Sequence, residues 1–204
     1  MHDENAAANT NTQFKFNQMR NLIYAINLSI DGCFDLFKLV APGDEVGEYY
    51  MRLMQNVDLL VFGRKCYQVM VPYWPDIAKN PAGETKQDVE FAQTFDSCNK
   101  IVFSRTLDKV EASNTRIVRT NLHEEILKLK QEKGKSMLVG GVELPSQLIA
   151  LGLVDEFIFV VQPILAGEGK RLLEGIDLEE RVKLKLVDSK TFKCGHIALH
   201  YIKQ

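Results

Sequence analysis

The sequence predicts an α/β domain: a mixed sheet of about eight strands, flanked by helices and closed by a C-terminal antiparallel hairpin. Three observations carry that expectation. Short apolar, β-branched runs alternate along the chain with segments whose apolar residues recur at helical spacing. Turn signals close the runs, as at Asp31-Gly32, Gly63 and Gly140-Gly141, and Gly152 ends a helix. The last two runs are separated only by Lys193-Cys194-Gly195, a hairpin link rather than a helical crossover.

Taken in order, 22–30 reads as a strand ending in the Asp31-Gly32 turn. Gly43-Asp44 opens a helix whose apolar stripe is Val46, Tyr50, Leu53, Met54 and Val57. Strand 58–62 stops at Gly63, and a short helix is expected over 64–70. Residues 71–83, with Pro72, Pro75 and Pro81, read as a long loop. A helix over 88–96 and strands over 100–104 and 115–118 follow. Asn121 with Glu124 three residues on marks a capped helix that Gly134 ends. Strand 136–139 leads through Gly140-Gly141 into a helix with Pro145 in its first turn. Strands over 156–165, 182–192 and 196–202 complete the set.

Composition bounds the function. The 204 residues, 46% hydrophobic and 25% charged, suffice for one well-buried core and are few for two domains. Residues 1–18, rich in Ala, Asn, Thr and Gln, read as a flexible segment, and 19–204 as a single domain without internal repeats. A net charge of −2 and no basic stripe argue against a nucleic-acid partner. No apolar run reaches spanning length and no secretory signal opens the chain, so a cytoplasmic protein is expected. Cys33, Cys66, Cys98 and Cys194 are scattered and read as free thiols. Cys194, His196 and His200 share strand parity, but one strand with no further ligand nearby reads as a polar face rather than a metal site.

Three strand ends carry anion-binding chemistry. In Gly63-Arg64-Lys65-Cys66 two cations open a helix, where the macrodipole disfavours them unless a phosphate is held there. In Ser104-Arg105 a hydroxyl and a guanidinium follow a buried strand, a pairing suited to a monoester phosphate. Gly140-Gly141-Val142-Glu143 offers a positive-φ turn and helix amides for a pyrophosphate, without the G-x-G-x-x-G pattern of a Rossmann unit. Each alone also suits an ordinary strand end. Together, in one sheet, they describe a phosphorylated dinucleotide lying across strand ends.

The ordered set resembles the dihydrofolate-reductase-like superfamily, and within it the C-terminal reductase domain of the bifunctional riboflavin-biosynthesis deaminase/reductase. Ser29-Ile30-Asp31-Gly32 resembles the Ser-Leu-Asp-Gly element of that branch, and 162–169 its Pro-x-x-x-Gly-x-Gly segment. The resemblance covers about residues 20 to 203. It implies NADPH as cofactor, with Gly63, Arg64, Lys65 and Cys66 on its phosphates and Ser104 and Arg105 on the 2′-phosphate. It implies Gly140, Gly141, Val142 and Glu143 around the pyrophosphate and Ala25 beside the nicotinamide. Cys66 stands where the family has Thr, and a thiol is the weaker donor. The implied reaction is hydride transfer to a phosphoribosylamino-pyrimidine or similar heterocyclic C=N or C=O group. A homodimer is plausible on the same ground.

Folate reduction needs an acid on the first helix. The family spacing puts Gly47 there, on the stripe with Tyr50, while Glu48 sits roughly 160° round from Tyr50 at about 100° per residue. Asp31 is the remaining candidate for a proton relay, although Asp-Gly also serves as plain turn chemistry. Tyr73 and Trp74 are candidate pocket walls, with Trp74 equally suited to a core anchor. A dihydrofolate or pterin reductase, and a non-catalytic NADP-binding protein on the same fold, are the rival readings.

Overall fold

The computed structural model describes residues 19–35, 43–110 and 112–204; the expected flexible segment 1–18 lies outside them. In chain order the elements are β1 (Leu22–Ser29), α1 (Asp44–Met54), β2 (Val57–Gly63), α2 (Arg64–Lys79), α3 (Lys86–Ser97), β3 (Asn99–Phe103) and β4 (Thr115–Val118). There follow α4 (Leu122–Gln131), β5 (Ser136–Val139), α5 (Glu143–Ala150), β6 (Glu156–Gln162), β7 (Leu184–Thr191) and β8 (Ile197–Lys203).

The strands form one eight-stranded sheet in the order β4-β3-β2-β5-β1-β6-β8-β7. β4 through β6 are mutually parallel, and β8 and β7 add on antiparallel, which is the expected hairpin. Period-two alternation sorts side chains into three layers. Leu22 and Tyr24 of β1 and Leu59 and Val61 of β2 pack with Ile126 and Leu129 of α4 and Leu144 and Leu148 of α5. On the other face Leu60 and Phe62 meet Val71 of α2 and Phe95 of α3. There too, Ile23, Ile158 and Val160 meet Val46 of α1.

The expected loop over 71–83 is a correction. α2 continues through Pro72 and Pro75 to Lys79. Each proline removes a helix hydrogen bond, at a cost of about 3 kcal/mol in a regular interior. What offsets it is tertiary: Val71 and Ile77 are buried. Trp74 packs at a tilt with its ring centroid 4.5 Å from Phe91 and 6.4 Å from Phe95 of α3. Sequence periodicity cannot see a partner helix, so the prolines read as a stop. Trp74→Ala is expected to destabilise the domain by about 2–4 kcal/mol, read by circular dichroism during denaturation.

Smaller differences lie at element ends. Val57 belongs to β2 rather than to the α1 stripe, and β6 stops before Pro163. Asn121 caps α4 as expected, its side chain accepting from the amides of His123 and Glu124. All four cysteines are free thiols.

Candidate active site

Because β1 through β6 run parallel, their C-terminal ends share one edge. Ser29, Gly63, Ser104, Gly140 and Gln162 follow or end those strands there. Ligands of open α/β sheets gather at this edge.

The centre of the edge is built from two helix starts. Gly63 is the N-cap of α2 and Val142 that of α5, and neither helix has a side-chain cap. Their first amides are therefore left for another acceptor. Gly141 adopts φ +85°, and a Cβ there would stand 3.0 Å from the Cβ of Cys66. The di-glycine turn thus lies directly on the first turn of α2. The Tyr24 hydroxyl donates to the Gly141 carbonyl at 3.1 Å, fixing the turn from beneath. Burial pushes that phenol far above its usual range, so it stays a neutral donor. Tyr24 went unrecognised in the sequence, where it is one apolar residue among many.

The cations differ in what they touch. Lys65 pairs with Glu143 at 2.5 Å, bridging the α2 and α5 starts and lowering the Glu143 pKa. Both side chains are well exposed, so the pair organises more than it stabilises. Arg64 donates to Gln68 at 3.1 Å along its own helix. Burial pushes the Cys66 thiol up to about 11, so it faces the turn as a neutral group.

At the next strand end Ser104 Oγ accepts from the amides of Thr106 and Leu107, at 3.2 and 2.9 Å. Its O–H remains able to donate outward. Arg119, which sequence reasoning missed, donates to the Ser104 and Leu107 carbonyls and shapes this loop. Arg105 is exposed and makes no ion pair or hydrogen bond with a described residue. The arrangement is a preformed loop with an unengaged guanidinium.

The β1 end is different. Asp31 accepts from the Ser29 hydroxyl at 2.6 Å and from the amides of Ala166 and Gly167 at 3.0 Å each. Arg171 adds a contact at 3.4 Å and donates to the Asp31 carbonyl. These hydrogen bonds, that from Ser29 first, hold the carboxyl well below the usual carboxylate range. An anion so engaged clamps the 166–171 loop to the β1 turn, which favours the turn role over a proton relay. Because the folded pKa is depressed, this contribution is fully present above the ordinary pKa of about 4 and lost as pH falls below it. Asp31→Asn is expected to flatten that acid limb in pH-dependent unfolding, and the variant keeping the wild-type limb would refute the assignment.

The substrate-side expectations are redistributed. A Cβ on Gly47 would stand 2.4 Å from Gln87 Nε2, so the side-chain amide of Gln87 on α3 covers this position. Tyr50 reaches β1, its hydroxyl donating to Asn27 Oδ1 at 3.0 Å. Ala25 is half-buried two residues earlier on β1. Trp74 is an anchor between α2 and α3, and Tyr73 is exposed beside it, 5.0 Å away in ring centroids. His200 pairs with Glu156 at 2.8 Å, and Cys194 lies 3.2 Å from His196. Among the described residues no helix is long and apolar enough to cross a membrane.

This sheet order, with its antiparallel C-terminal hairpin, defines the dihydrofolate-reductase-like fold. A dihydrofolate reductase from Enterococcus faecalis, solved with NADP(H), superposes with a TM-score of 0.57 at 13% identity, over 90% of this chain and 96% of that one. A putative riboflavin biosynthesis protein from Shewanella superposes with a TM-score of 0.67 at 20% identity, over 90% of this chain and 99% of that one. Among curated proteins, the uncharacterized protein YyaP of Bacillus subtilis is 36% identical over 149 residues, 72% of this chain and 75% of the relative. The RibD C-terminal domain model matches residues 20–198, and the chain belongs to that family.

Proposed function

We propose that the protein is an NADPH-dependent reductase of the riboflavin-biosynthesis type, delivering hydride to a phosphoribosylamino-pyrimidine or a similar heterocyclic C=N or C=O group. The observation that carries this reading is the meeting of two uncapped helix starts at Gly141, where an added Cβ would stand 3.0 Å from the Cβ of Cys66. Such a cradle fits a pyrophosphate, because only a bare backbone lets anionic oxygens approach the amides. Bound NADPH would supply the hydride.

The chain's own residues do the rest. The amides of Val142 and Glu143 and of the α2 start, with Gly63 and Gly140, hold the cofactor phosphates. Lys65 and Arg64 add positive charge beside them. Ser104 donates to the 2′-phosphate and Arg105 forks its oxygens, which sets NADPH above NADH. Ala25 flanks the nicotinamide from β1. Asp31 keeps the 166–171 loop against the β1 end and excludes water from that side. With Gln87 rather than a carboxylate over Gly47, a folate-type acid is not provided.

Titration of NADPH and NADH against the fluorescence of Trp74, the chain's one tryptophan, tests the cofactor half. NADPH is expected to bind at least about tenfold tighter. Equal or absent affinity for the two would sink the assignment. Loss of nicotinamide absorbance across a panel of dihydrofolate, oxidised pterins and phosphoribosylamino-pyrimidines tests the substrate half.

A further inference from the structure

β1 lies in the middle of the sheet, bonded to β5 and β6 on its two sides. Leu22, Ile23, Tyr24, Leu28 and Ser29 are buried, as a central strand requires. Ala25, Ile26 and Asn27 break the pattern and are half-exposed. Alternation puts Ala25 and Asn27 on the α1 face, so a cleft opens there above the central strand. An amide inside a central strand is unfavourable unless its polar atoms find partners. The Tyr50 hydroxyl supplies one, donating to Asn27 Oδ1 at 3.0 Å. Asn27 Nδ2, with two N–H donors, has no partner among the described residues. On α1 the position expected to carry an acid is Gly47, covered by Gln87, whose Nε2 donates to the Asp44 carbonyl at 2.7 Å.

Resting on the reductase reading, we propose that Asn27 is the specificity-determining residue of this cleft. Tyr50 is its positioning residue, holding the amide so that Nδ2 donates to an oxygen on the substrate ring. A carboxylate in such a cleft selects a ring edge that presents N–H groups. An amide whose oxygen is already engaged selects an edge that presents a carbonyl. Leaving the donors unmatched in a closed cleft carries the discrimination, because a desolvated N–H without an acceptor is penalised more than a matched one is rewarded.

Two planar probes of one shape separate these cases: lumazine, the 2,4-dioxo pteridine, and 2,4-diaminopteridine. Calorimetric titration of the 204-residue chain, with and without NADPH, is expected to give lumazine at least about tenfold tighter binding. Asn27→Asp, which exchanges donor for acceptor, is expected to erase or reverse that ratio. Tyr50→Phe is expected to shrink it about threefold or more, because the amide is then free to turn. A purely structural Tyr50 would weaken both probes alike and leave the ratio unmoved. Equal wild-type affinities, no binding of either probe, or a ratio untouched by Asn27→Asp would overturn the proposal. NADPH binding without ring preference overturns this inference alone. Ring preference without NADPH binding removes the reductase reading and leaves Asn27 as the recognition group.

Discussion

Replacing Gly141 with alanine is expected to destabilise the di-glycine turn and the α2 start, while the same change at Gly140 is tolerated. Gly141 sits at φ +85°, where an L-residue is strained, and its new Cβ would meet the Cβ of Cys66 at 3.0 Å. That neighbour is fixed to the α2 backbone and cannot swing away, so the turn and the helix start must shift against each other by a few tenths of an ångström. Trimming Cys66 to alanine would not help, because the offending atom remains. The hydrogen bond from Tyr24 to the Gly141 carbonyl would go with the turn. Together these cost about 2–4 kcal/mol of stability and the alignment of the phosphate-binding amides. At Gly140 the nearest atoms are the Cys66 Sγ at 3.7 Å and a Phe62 ring carbon at 3.8 Å, ordinary contacts. Denaturant unfolding of the two variants measures the contrast. Equal losses would mean that the close approach to Cys66 does not constrain this edge.

The second large effect is expected at Arg105. Its guanidinium is exposed and uncommitted among the described residues, on a loop already set by Ser104 and Arg119. Removing a bidentate charged partner of a phosphate costs about 1.5–3 kcal/mol. Arg105→Ala should therefore weaken NADPH roughly tenfold to a hundredfold and leave NADH within about twofold. Arg105→Lys keeps the charge without the fork, and should fall between. The same loss for both cofactors would show that Arg105 acts on the loop rather than on the 2′-phosphate.

Local chemistry made much of this molecule legible in advance. Strands β4 and β5 follow from short apolar runs closed by polar or glycine residues, and the hairpin from its three-residue link. Asn121 announces α4 because its side chain caps amides only two and three residues away. The three strand ends proposed to hold anions were visible for the same reason, since glycine, serine and arginine at a strand terminus act on their immediate neighbours. Asp31 was legible as a residue of interest, but its two roles share one residue type. Only the amides of Ala166 and Gly167, far along the chain, separate a clamp from a relay.

The sequence by itself determined the class of fold, the order of its elements and the strand ends that share one edge of the sheet, because each depends on periodicity and local turn chemistry. Tertiary structure alone decided the rest. It carried α2 through two prolines, since burial of Val71 and Ile77 and packing of Trp74 on α3 outweigh lost backbone bonds. It set Gln87 over Gly47, joined Tyr24 to the di-glycine turn and Tyr50 to Asn27. Each of those contacts links residues far apart in the chain, and no window along the sequence holds both partners.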